Sequence, residues 1–69
     1  MMVEKSIDLT ATGPTIEDAV AEAVGRANLT LEGISSFEVE RVEGTVEGGR
    51  LTYRVLVRVS FTLKEQFHG

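Results

Sequence analysis

The chain is predicted to be an α+β domain of order strand, helix, strand, strand, whose three-stranded antiparallel sheet wraps around the single helix. Three observations carry this. First, Leu51, Tyr53, Val55, Val57, Val59, Phe61 and Leu63 take every odd position of LTYRVLVRVSFTL. Thr52, Arg54, Arg58, Ser60 and Thr62 lie between them, which is the period-2 pattern of a strand with one buried face, broken only by Leu56. Second, Ile16, Ala19, Val20, Ala23, Val24, Ala27 and Leu31 recur at the i, i+3, i+4, i+7 spacing of an amphipathic helix. Third, Glu47-Gly48-Gly49-Arg50 joins two alternating segments through glycines that accept the positive φ values of a type I′ hairpin turn.

The first strand is expected from Val3 to Thr10, where Val3, Ile7 and Leu9 alternate with Glu4, Ser6 and Asp8, and Lys5 intrudes on the apolar side. Thr12 is read as the N-cap of the helix and Pro14 as part of its first turn, with Glu17 and Asp18 at the positive end of the dipole. The alanines of the buried stripe let the helix lie close on the sheet, while Glu17, Asp18, Glu22 and Arg26 face outward. Glu22 and Arg26, one turn apart, are expected to pair. Gly33 is read as the helix C-cap.

In the second strand Phe37 and Val39 are odd whereas Val42 and Val46 are even, so the inward face changes parity near Glu40 and Arg41 and a β-bulge is expected there. Counting back from the turn pairs Val46 with Leu51, Glu43 with Arg54 and Val42 with Val55. Beyond the bulge it pairs Val39 with Val57, Glu38 with Arg58, Phe37 with Val59 and Ser36 with Ser60. Apolar meets apolar and acid meets base, and that agreement fixes the register. Gly44 falls opposite Tyr53, whose ring can cover it. The third strand would run roughly 44 Å at ~3.4 Å per residue, about twice the usual length. A sheet that long outruns a small core and reaches toward neighbouring subunits.

With 69 residues, 42% of them hydrophobic and 26% charged, there is room for one domain, spanning residues 1–69. So short a chain buries a small share of its surface and ordinarily needs a staple. The absence of cysteine excludes disulfides and thiolate metal sites, and a lone His68 builds no imidazole cluster. Self-association is the staple left. Lys+Arg 7 against Asp+Glu 11 gives net -4, the wrong sign for a nucleic-acid backbone partner. No apolar run approaches a membrane span of ~20 residues, and the N-terminal stretch lacks a signal peptide's basic and apolar regions, so a cytoplasmic protein is expected.

No catalytic constellation is present: no nucleophile elbow, no His with Ser or Cys partners, no Gly-rich strand-to-helix loop. The reading is of a protein that is not an enzyme. Glu38, Glu40, Glu43 and Glu47 resemble a metal-ligand series, but Arg58 and Arg54, opposite Glu38 and Glu43, compete with a cation, and surface charge pairs are the simpler account.

The assembled pattern resembles the dodecins: LTATGPT before the helix, AVAEAVGRA within it, SFEV opening the second strand and TYRVLVRVSFTL as the third. The resemblance covers nearly the whole chain. It implies a hollow homododecamer, twelve subunits binding one another as partners, that stores a small molecule without turnover. Many such proteins hold riboflavin or related flavins, FMN among them, as stacked pairs between subunits. Two ligand positions depart from the flavin-binding pattern. Ser36 stands where a tryptophan stacks on the isoalloxazine, and Arg54 stands where a glutamine hydrogen-bonds its polar edge. Each lost aromatic contact removes on the order of 1 kcal/mol beyond the lost area, so flavin binding at Ser36 and Arg54 is expected to be weakened. The alternative is the branch of dodecin-like proteins without the tryptophan, with a structural or cation-binding role.

Overall fold

The computed structural model describes residues 2–64. Strand β1 (Met2–Gly13) leads into helix α1 (Ile16–Thr30), followed by β2 (Ile34–Glu47) and β3 (Arg50–Lys64). The sheet is antiparallel with order β1-β3-β2, so the most regularly alternating segment of the sequence is its central strand. Its odd-numbered valines form the floor of the core. Val55, Val57 and Val59 are buried under Ala19, Ala23 and Ala27 of α1 and beside Ala11 of β1. Small side chains on the helix and β-branched ones on the strand permit this close approach.

The β2–β3 register is the one expected at every pair counted from the turn. Gly48 and Gly49 have φ of 55° and 80°, as the hairpin demands. The bulge falls between Val39 and Arg41, with Glu40 as the extra residue. A second irregularity, between Ile34 and Ser36, gives no sign in the sequence because it lies beyond the alternating segment.

The ends of the helix differ from expectation. β1 continues to Gly13, where Thr12 pairs with Arg54 in the β1–β3 ladder, so Thr12 is not the cap. Thr15 is: its backbone is extended, and its Oγ1 accepts from the Asp18 amide at 3.0 Å. Pro14 therefore precedes the cap and lies outside the first turn. At the other end the C-cap is Leu31, whose amide donates to the Ala27 carbonyl at 2.9 Å. Gly33, with φ of 71°, serves the turn into β2: its carbonyl accepts from the Thr62 amide at 3.0 Å. Arg26 does not pair with Glu22; its guanidinium reaches the Thr10 carbonyl on the edge strand.

The helix-side face of β2 is less covered than its pattern suggests. Phe37, Val39, Val42 and Val46 face the helix side, yet are 50%, 40%, 45% and 68% exposed. A 15-residue helix is ~22 Å long and about 10 Å wide, enough for two strands and half the length of the sheet. The protomer measures 62 × 19 × 12 Å, and its radius of gyration of 15.2 Å exceeds the ~11 Å of a compact domain this size. It is an elongated plate with an apolar strip beside its helix.

Candidate functional site

The opposite face of the sheet carries the even-numbered residues of β3 and is organised in cross-strand rows. Ser6, Ser60 and Ser36 make the first row, and Asp8, Arg58 and Glu38 the second. Thr10, Leu56 and Arg41 form the third, and Thr12, Arg54 and Glu43 the fourth. Each row draws one residue from each strand because alternation turns every second side chain to this side.

In the second row Arg58 is gripped from both flanks. Its Nε lies 3.0 Å from Asp8 Oδ1 and its Nη1 3.1 Å from Glu40 Oε1. The hydrogen bond from Arg58 holds the Asp8 carboxyl below the usual carboxylate range, and the same bond raises the guanidinium. The ion pairs thus differ from the expected ones although the register does not. Glu38 stands opposite Arg58 and adds only a longer-range attraction; the carboxylates that touch it come from β1 and from the bulge. Likewise Glu43 stands opposite Arg54, but its carboxylate bonds Arg41 Nε at 2.8 Å.

Ser36 and Arg54 both lie exposed on this face. They are not neighbours. Ser36 is level with Ser60, six residues along β3 from Arg54, or about 20 Å. Ser35 Oγ donates to the Ser60 carbonyl at 3.3 Å, which ties the start of β2 to the central strand. A hollow of ≈ 170 Å³ sits over the third and fourth rows, lined by Thr10, Arg41, Glu43, Arg54 and Leu56 with Val55 at its base. A second, ≈ 320 Å³, adjoins it at the β1 edge, where Thr12, Glu22, Arg26 and Arg54 meet. A third, ≈ 580 Å³, is elsewhere: an apolar groove at the far end of the sheet lined by Met2, Leu31, Phe61 and Leu63 among others, with Glu32 its one ionisable residue among the described residues.

Sequence reasoning had singled out Arg54 but neither Thr10 nor Arg41. The signal for Arg41 was present, since the hairpin count with the bulge sets it opposite Leu56. Thr10 required the β1–β3 register, which no turn announces. Among the described residues, no three His, Cys, Asp or Glu side chains gather in a metal-binding group, and no helix is long and apolar enough to cross a membrane.

Strand, helix and hairpin in this order, with a pocketed polar sheet face and an apolar strip beside the helix, define a small binding-protein subunit of β-α-β-β type. Comparison with known proteins makes this specific. Residues 3–64 match the dodecin family. The chain is 37% identical over 65 residues to the dodecin of Thermus thermophilus, covering 91% of this chain and 94% of that protein. It is 39% identical over 66 residues to the calcium dodecin of Mycobacterium tuberculosis, covering 93% of each. Among solved structures, an arginine-to-alanine variant of the Thermus dodecin superposes with a TM-score of 0.88 at 32% identity over 96% of this chain and 100% of that one. The M. tuberculosis calcium dodecin, described as having a novel calcium-binding site, superposes with a TM-score of 0.78 at 35% identity over 97% and 99%. The chain belongs to the dodecin family, and as such is a small-ligand-binding protein.

Proposed function

We propose that the chain is a single-domain subunit that assembles with eleven copies of itself into a hollow shell, and that the shell holds a small molecule without catalysing its conversion. Ser36 and Arg54 are among the ligand-facing residues. The observation that carries this is the placement of those two side chains on one exposed sheet face but about 20 Å apart, so that a site using both draws them from different copies. The apolar strip of Phe37, Val39, Val42 and Val46 supports the assembly, since a contiguous exposed apolar patch on so small a protein is a contact surface. A cytoplasmic location belongs to the same reading.

Riboflavin and FMN are the ligands the family suggests, and this face is a poor one for them. Serine provides no wall for a flavin ring, and an arginine replaces a side chain that both donates and accepts. Affinity for riboflavin is expected to be weaker than that of a tryptophan-bearing dodecin by about tenfold or more, the equivalent of two lost aromatic contacts. Light scattering is expected to give the mass of twelve subunits, and the double variant Ser36→Trp, Arg54→Gln to gain quenching of riboflavin fluorescence. A stable monomer or dimer at micromolar concentration refutes the shell. Nanomolar quenching by the unmodified protein refutes the assignment of Ser36 and Arg54.

A second reading, a cation-associated assembly, is favoured by the 39% identity to a protein named calcium dodecin. Against it, Asp8 and Glu40 are already bound by Arg58. Elemental analysis of the purified assembly decides between them: bound calcium at a fixed ratio to protein supports the cation, a metal-free assembly the small organic ligand.

A further inference from the structure

We infer that the hollow over the third and fourth rows is an oxyanion seat, in which Arg54 and Arg41 hold a phosphate or carboxylate group of a small ligand while its apolar part lies on Leu56. The inference deepens the ligand-binding reading of this face and rests on it.

Position comes first. Arg41 stands opposite Leu56, and Arg54 is two residues along the same strand, so the two arginines are diagonal neighbours on one face, about 7 to 8 Å apart at the backbone. Both line one hollow of ≈ 170 Å³ together with Thr10. That space is close to the ~150 Å³ of a cavity that takes up one benzene ring, and is enough for an anionic head group.

Charge comes second. Among the described residues Glu43 is the hollow's one carboxylate, and it is held by Arg41 at 2.8 Å. Among the described residues Arg54 makes no ion pair, although a glutamate stands directly across from it. The adjoining hollow adds Arg26 against Glu22, so the two hollows together carry Arg26, Arg41 and Arg54 against Glu22 and Glu43. The chain as a whole is net -4, and the neighbouring row sets Asp8, Glu38 and Glu40 around a single Arg58. The Arg54 end is therefore a positive island on an acidic protein, the place to which an anion is drawn.

Chemistry comes third. A guanidinium presents a planar fork that matches two oxygens of a phosphate or carboxylate, and such charge-assisted bonds are shorter and stronger than neutral ones. The Thr10 hydroxyl supplies a further donor on the β1 side. Leu56, the one apolar residue to break the polar alternation of this face, lies between Thr10 and Arg41 and gives the rest of the ligand a surface to cover.

Titration calorimetry of the intact assembly with inorganic pyrophosphate, and separately with citrate, at low salt tests this. Saturable binding of at least one anion is expected. Arg54→Gln weakens it by about tenfold or more, Arg54→Lys by less, because the charge stays and the fork is lost. Arg50→Gln, which removes the same charge from the hairpin turn, leaves it unchanged. Failure of both anions to bind overturns the inference, and so does an equal loss in Arg54→Gln and Arg50→Gln, which would mark a response to net charge alone. Riboflavin quenching by a protein that binds neither anion sinks the seat and spares the ligand-binding reading. Anion binding by a protein that light scattering finds monomeric supports the seat and refutes the shell.

Discussion

Replacing Ala23 with leucine tests the packing on which the whole plate rests. Ala19, Ala23 and Ala27 are 0%, 0% and 2% exposed, and the valines beneath them are 1%, 0% and 0% exposed, so the contact between helix and sheet at the centre of α1 is closed to solvent. Leucine brings three further carbons into that contact. The helix must lift or the valines must leave their rotamers, at a cost of roughly 1 to 3 kcal/mol. For a domain of this size each kcal/mol lowers the melting temperature by about 4 to 8 °C, so the fall is roughly 4 to 24 °C. Ala21→Leu is the control, because Ala21 is on the exposed side of the same helix and the added carbons meet no core. Differential scanning calorimetry at one fixed protomer concentration is the assay, since self-association makes the midpoint concentration-dependent. Equal melting of Ala23→Leu and the parent protein would mean that the helix does not sit on the sheet by its alanine stripe.

Two further perturbations follow from the geometry. The Asp8 carboxyl is depressed by its hydrogen bond from Arg58, so its contribution to stability is present above the ordinary carboxylate value and is lost as pH falls through the folded one. Urea midpoints should therefore fall less steeply in Asp8→Asn than in the parent below about pH 4, and parallel curves would show that the bond adds nothing. Gly33→Ala places a Cβ 3.0 Å from the Thr62 carbonyl oxygen at a φ of 71°. The left-handed backbone alone costs about 1 to 2 kcal/mol, so the melting temperature should drop, and an unchanged midpoint would refute the turn geometry.

How much of this was legible in the sequence depended on how local the determinant was. The hairpin register was readable because two glycines fix the turn and apolar and charged pairs agree on both sides of it. The bulge was readable because an extra residue reverses parity, and parity is visible in Phe37, Val39, Val42 and Val46. The β1–β3 register was not, because a helix and a strand separate the partners and no turn constrains them. With it went Asp8 as a partner of Arg58, Thr12 as a ladder residue and Thr10 as part of a hollow. The helix start was misplaced for a related reason. Thr12 and Thr15 are both plausible caps, and only the continuation of β1 to Gly13 removes the first. The exposure of β2's apolar side was hidden because alternation reports which face a residue takes, whereas coverage depends on the width of what lies upon that face.

The bulge at Glu40 links these local features to the chemistry of the face. In a regular ladder counted from the turn, Glu40 would fall opposite Val57 on the apolar side and Val39 opposite Arg58 on the outer one. The extra residue keeps both Glu40 and Arg41 on the outer side and returns Val39 to the apolar one. Glu40 then reaches Arg58, which already holds Asp8, while Arg41 takes the carboxylate of Glu43. One strand irregularity thereby concentrates acid around Arg58 and withdraws it from Arg54. The register that pairs Glu43 with Arg54 at the backbone leaves them unpaired at the side chain, and the guanidinium freed by that mismatch stands at one of the two positions where this sequence departs from the flavin-binding pattern.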